Sequence, residues 1–157
     1  MRPKVYVETS ILSYLTSWLS RDLVLAAHQQ ITQQWWVERR SGFELFASQA
    51  VVNEASAGDE KMAQRRLDVL DELPLLDITA EVSSLAEELI RIGPIPPKAA
   101  VDAVHVAVSS VYRVDYLLTW NCRHLANAAM RPRMEQVCRS LGYSPVVICT
   151  PEELMEV

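Results

Sequence analysis

Apolar and polar residues follow one another along this chain in short blocks. The period of those blocks switches between that of a strand and that of a helix. The run Lys-Val-Tyr-Val-Glu over residues 4–8 is apolar with β-branched and aromatic residues and predicts a strand ending at Glu8. Thr9 and Ser10 come next as candidate N-caps of a helix with Ile11, Leu12, Tyr14, Leu15, Trp18 and Leu19 at helical spacing. A longer helix is expected over residues 23–40, opened by Asp22 and stopped near Gly42. Residues 43–48 read as a second strand, with Ser48 placed to cap a helix over 49–57 that Gly58 ends. A helix over 60–73, a short strand over 74–78 and a helix capped by Thr79 and running to about residue 92 follow.

Pro94, Pro96 and Pro97 then force a rigid break, because proline cannot sit inside a helix. Residues 98–112 are apolar nearly all round, which predicts a buried helix. A strand over 115–119, a helix over 132–141, a strand over 145–149 and a final turn from Pro151 complete the pattern. Strands that alternate with helices in this way imply a parallel sheet covered by helices, an α/β fold. No linker, repeat or low-complexity stretch divides the chain, so one domain over residues 1–157 is expected.

Composition narrows the classes. Half of the 157 residues are hydrophobic, enough for a sizeable core and too many for disorder. No apolar run reaches the roughly 18 residues of a membrane span, and the N-terminus lacks the apolar stretch of a signal peptide. Cys122, Cys138 and Cys149 are odd in number and widely spaced, which argues against a disulfide framework or a structural zinc site and fits a reducing cytoplasm. The net charge of −5 gives no general attraction to nucleic acid, so a polyanion needs a local basic patch or bound cations.

Four polar residues stand out against apolar surroundings: Glu8 at the end of the first strand, Glu54 in Val-Val-Asn-Glu-Ala, Asp102 in Ala-Val-Asp-Ala-Val, and Asn121 past the fourth strand. A buried, ionised carboxylate must be paired, protonated or metal-bound. Carboxylates without a lysine partner each would repel one another, and Mg²⁺ or Mn²⁺ with oxygen ligands would remove that repulsion. Singly, each has a plainer account as a helix-dipole carboxylate, an exposed residue or a cap. Thr9, Ser10 and Thr119 are candidates for orienting ligands or water, and equally for capping. Lys98, four residues before Asp102, can reach a phosphate or pair with that acid. His105, three residues after Asp102, reads first as a satisfied core histidine and second as a general base. Between residues 113 and 143, five arginines against Asp115 and Glu135 leave a local +3. Arg123, His124, Arg131 and Arg133 therefore form a candidate track for an RNA backbone, or for an acidic partner.

Taken together, Val-Tyr-Val-Glu-Thr-Ser, Val-Val-Asn-Glu, Lys-Ala-Ala-Val-Asp-Ala-Val-His-Val-Ala and Tyr-Leu-Leu-Thr-Trp-Asn-Cys-Arg-His-Leu resemble the PIN domain of VapC-type toxin ribonucleases, in order and spacing along the whole chain. The resemblance implies a three-layer sandwich around a parallel five-stranded sheet, an acid cluster binding Mg²⁺ or Mn²⁺, and cleavage of RNA. It places the family's four acid positions on Glu8, Glu54, Asp102 and Asn121, as catalytic residues and metal ligands. Two of them depart from the family: Glu8 is one methylene longer than the usual Asp, and Asn121 is neutral where Asp is frequent. Three formal charges suit one cation and hold two weakly without substrate.

The resemblance also implies a cognate antitoxin and a homodimer, with Tyr14, Leu15, Trp18 and the pair Trp35 and Trp36 as candidate contact surface. Two other readings stand beside the ribonuclease. One is a weakened PIN-like module that binds RNA or protein. The other is a receiver-like phosphoryl-transfer domain, which the Glu at the end of strand one disfavours.

Overall fold

β1 (Lys4–Val7) lies at the centre of the molecule because its Val5, Tyr6 and Val7 are fully buried, as expected of a strand covered on both faces. It leads into α1 (Thr9–Thr16) and α2 (Leu23–Glu38), then a 3-10 turn at Arg40–Gly42. β2 (Glu44–Ser48), α3 (Gln49–Ala55), α4 (Glu60–Leu70) and the two-residue β3 (Leu75–Leu76) follow. Next come α5 (Ala80–Arg91), a 3-10 turn at Pro97–Ala99, α6 (Ala100–Val111), β4 (Tyr116–Leu118), α7 (Arg131–Ser140), β5 (Val147–Cys149) and a 3-10 turn at Pro151–Leu154. This computed structural model describes residues 1–156; Val157, the last residue of the expected domain, lies outside them.

All strand pairs are parallel, in the order β3-β2-β1-β4-β5. Right-handed crossovers then decide the layers. The chain moves outward from β1 to β3, so α1 to α4 cover one face. It returns past β1 to β4 and β5, so α5 to α7 cover the other. The result is the three-layer α/β sandwich with five parallel strands that the sequence pattern and the resemblance predicted. Among the described residues no helix is long and apolar enough to cross a membrane.

Several caps fall where the sequence placed them. Asp22 accepts from Leu25 N at 2.9 Å and Thr79 from Val82 N at 3.3 Å. Gly58, with φ +84°, closes the connection after α3 in a backbone region that suits glycine. Other expectations change. Thr9 and Ser10 are not caps: Glu8 is the N-cap of α1, and its carboxylate accepts from Ser10 N. Ser48 occupies the cap position of α3, yet its hydroxyl is bonded to Tyr6 instead.

α1 ends at Thr16, where the Thr16 hydroxyl bonds back to Leu12 O, so Trp18 and Leu19 lie in the following segment rather than on the helix. That segment is pinned by the buried amide of Gln29, which donates to Trp18 O and accepts from Ser20 N. Trp35 is wholly buried against Phe43 and therefore belongs to the core, not to a contact surface. Trp36 is partly buried under the Arg40 guanidinium, and Trp18 is exposed beneath that of Arg65.

Candidate active site

The order of the strands reverses at β1, which makes the crevice beyond the C-terminal ends of β1 and β4 the topological switch point of the sheet. Glu8 and Thr119 are the first residues past those two ends. Glu8 N donates to Leu118 O at 3.1 Å, so the paired strands carry both side chains to the same place. Glu8 is buried, 4% exposed, and accepts from the hydroxyls of Ser10 and Thr119 on Oε1 and from Ser10 N on Oε2. The Ser10 hydroxyl in turn accepts from Trp120 N at 2.8 Å. Thr9, Ser10 and Thr119, the expected supporting residues, thus all bond to an acid of the site.

α3 brings in Glu54 from one helical layer and α6 brings in His105 from the other. Glu54 Oε1 accepts from the Thr9 hydroxyl at 2.6 Å and lies 2.7 Å from His105 Nε2. The other ring nitrogen, Nδ1, is 2.7 Å from the Tyr6 hydroxyl, which is itself 2.7 Å from Ser48 Oγ. One ligand atom each from Glu8, Glu54 and His105 lie within 4.8 Å of one another. Burial pushes the Glu54 carboxyl up, but the His105 hydrogen bond and charge, with the Thr9 hydroxyl, hold it below its ordinary value. Burial pushes the Tyr6 phenol far up, so it stays a neutral hydroxyl.

Asp102, the third expected acid, is not one of that trio. Its carboxylate is held by Asn121 Nδ2 at 3.2 Å on one oxygen and by His124 Nδ1 at 3.1 Å on the other. Asn121 joins the two groups, because its backbone N donates to Thr119 Oγ1, which serves Glu8. Its own side-chain oxygen accepts from Arg123 N and His124 N and so caps the turn that follows. Lys98 is exposed, and among the described residues it makes no ion pair with Asp102.

Two arginines of the expected basic track also bond backbone carbonyls. Arg131 donates to Ile148 O, and Arg133 donates twice to Ile92 O at the end of α5. Both guanidiniums close backbone ends. Arg123, beside Asn121, and Arg133 are both exposed. A cavity of about 750 Å³ lies at the opposite end of the sheet, lined by Ser110, Arg113, Asp115 and Tyr143 among others and by none of the acids above.

The donor set fits a divalent cation. Among the described residues no lysine or arginine lies within 4.0 Å of Glu8 or Glu54, so a buried carboxylate and its neighbour face each other with only hydroxyls, an amide and one imidazole for support. The two carboxylates are hard oxygen donors of the kind Mg²⁺ and Mn²⁺ take, with His105 Nε2 bonded to Glu54 beside them.

Sequence reasoning missed Tyr6 and Ser48. A tyrosine inside a fully buried strand carries a hydroxyl that needs a partner, and that was the available signal.

No family model matches the chain, and no curated protein matches it. Solved structures do. VapC20 of Mycobacterium tuberculosis, a sarcin-ricin loop cleaving toxin, superposes with a TM-score of 0.59 at 17% identity, over 76% of this chain and 91% of that one. A chain of VapBC2 of Rickettsia felis, solved with a DNA fragment from its promoter, gives a TM-score of 0.60 at 15% identity, over 94% and 98%. At these identities the likeness establishes the fold: this chain has the PIN-like fold of those structures.

Proposed function

We propose that the chain is a metal-dependent endoribonuclease, the toxin of a type II toxin–antitoxin pair acting in the cytoplasm. One observation carries this reading: Glu8 and Glu54 meet, with no lysine or arginine partner among the described residues, at the switch point of a fold shared with a sarcin-ricin loop cleaving toxin. The reaction is hydrolysis of an RNA phosphodiester bond. Glu8 and Glu54 would hold Mg²⁺ or Mn²⁺, with Asp102 and Asn121 at the border of the same hydrogen-bonded network. A divalent cation in such a site acidifies a water and offsets charge on the phosphate oxygens.

The chain's own groups prepare for this. Ser10 and Thr119 fix the Glu8 carboxylate. Thr9 and His105 both bond Glu54 Oε1, which leaves Oε2 for a ligand. Asp102 orients the His124 ring beside the exposed Arg123, where an RNA backbone would pass. The partners that go with this reading are a cognate antitoxin, a second copy of the chain, and RNA. The VapBC2 neighbour supports the antitoxin by analogy of fold alone. Cleavage of an RNA panel in Mn²⁺, with EDTA and Glu54→Gln as controls, tests the proposal. Cleavage that survives both would refute it.

A further inference from the structure

Ser48, Tyr6 and His105 are all completely buried, and they form a single file of hydrogen bonds that ends on Glu54. The file crosses the molecule: Ser48 ends β2, Tyr6 lies on β1, His105 on α6 and Glu54 on α3. Its direction is set by what each atom can do. An ionised carboxylate only accepts, so His105 Nε2 must carry the hydrogen that bonds Glu54. With a neutral ring, Nδ1 accepts from the Tyr6 hydroxyl, whose oxygen accepts from Ser48. With a charged ring, Nδ1 donates to Tyr6 and Tyr6 donates to Ser48. In both arrangements the Nε2 hydrogen stays aimed at Glu54, so the outcome does not depend on the charge of the ring.

Glu54 needs such a support. It sits near the end of a seven-residue helix, its side chain is 34% exposed, and among the described residues its one other hydrogen bond comes from Thr9. A glutamate with three free torsions and one anchor samples many positions. A second anchor on the same oxygen fixes the carboxylate plane and leaves Oε2 without a protein partner among the described residues. We infer that His105, locked by Tyr6 and Ser48, is the positioning residue that holds Glu54 ready for a divalent cation. This rests on the reading of Glu8 and Glu54 as a cation site. It assigns His105 neither to the cation's own ligands nor to proton transfer, but to the supporting layer that tunes ligand orientation.

The test compares Mn²⁺ binding by the whole chain, followed by the electron paramagnetic resonance signal of free Mn²⁺, for the parent, Tyr6→Phe, His105→Leu and His105→Gln. Nitrogen-15 spectra of the metal-free proteins report which ring nitrogen of His105 carries hydrogen, and circular dichroism checks folding. The parent should show hydrogen on Nε2. Tyr6→Phe and His105→Leu should weaken Mn²⁺ binding by about tenfold or more, the usual cost of removing an outer partner of a ligand. His105→Gln, whose amide nitrogen can take the place of Nε2, should recover most of it. A histidine that only fills the core would give no such rescue.

If folded Tyr6→Phe and His105→Gln both bind Mn²⁺ within about twofold of the parent and His105→Leu does so too, the positioning role is overturned. If His105→Leu does not fold, Tyr6→Phe and the nitrogen-15 spectra decide. If the parent itself binds no Mn²⁺, the cation site falls and this inference falls with it, a result distinct from the first.

Discussion

Replacing Glu54 by Gln separates the charge of the site from its shape. The amide keeps an oxygen for Thr9 and the His105 Nε2 hydrogen, so the local bonds survive in outline. What goes is one of two negative charges whose ligand atoms lie within 4.8 Å. At an effective dielectric of about 20, two unit charges at that separation repel by about 3.5 kcal/mol. The one-third exposure of Glu54 lets solvent reduce this to roughly 1–2 kcal/mol. A bound cation turns that repulsion into attraction, and its stabilisation follows its affinity: at a hundred times its dissociation constant, it adds about 2.7 kcal/mol. For a domain of this size each kcal/mol moves the melting temperature by about 2–4 °C, so saturating Mn²⁺ should raise the parent by about 5–10 °C over EDTA. Glu54→Gln should rise by less than half as much. The assay is thermal denaturation of both proteins in EDTA and across an Mn²⁺ series. An equal rise in both, or no rise in the parent at millimolar Mn²⁺, would refute the reasoning.

Other outcomes follow from the same geometry. The Glu54 carboxyl lies below its ordinary 4.5 in the folded chain. Its contribution is therefore complete above the unfolded value and disappears as the pH falls through the folded one. Metal-free melts taken downward from about pH 6 should show a steeper loss in the parent than in Glu54→Gln, and parallel curves would contradict the assignment. Arg123→Ala should lower the salt dependence of RNA binding by about one unit of slope, while Arg131→Ala and Arg133→Ala should lower stability and leave that slope nearly unchanged. Filter binding over a salt series, beside denaturation, distinguishes these outcomes. Asn121→Asp deletes the donor to Asp102 and sets a second carboxylate 3.2 Å away, so it should cost about 1–3 kcal/mol in EDTA and regain much of that in Mn²⁺. A variant as stable as the parent in EDTA would show that the Asn121–Asp102 contact contributes nothing.

The fold was legible because it depends on period. Val5, Tyr6 and Val7 read as a strand buried on both faces, and the alternation of strands with helices leaves few topologies once crossovers are right-handed. Element ends were less legible, since they depend on single side chains. The helix expected to reach Leu19 stops at Thr16, and a strand expected over 74–78 keeps only Leu75–Leu76. The site was legible as a location more than as a set of bonds. Glu8 could be placed at a strand end from sequence. That its neighbours Ser10 and Thr119 both turn their hydroxyls onto it depends on the β1–β4 pairing, which brings residues 111 apart into contact.

The different partners of Asp102 and His105 have the same origin. Spaced three residues apart, they share one face of α6, and spacing alone does not say which of them reaches Glu54. Their surroundings decide. Asn121 and His124, on the turn after β4, present a donor and a ring nitrogen to Asp102, while Tyr6 on β1 presents a hydroxyl to His105. Each side chain goes to the partner that completes its hydrogen bonds, as buried polar groups must. The neutral Asn121 is central to this. An aspartate there would offer Asp102 no donor and would repel it. Asn121 thus fixes Asp102 through a donor that an acid at its position could not supply.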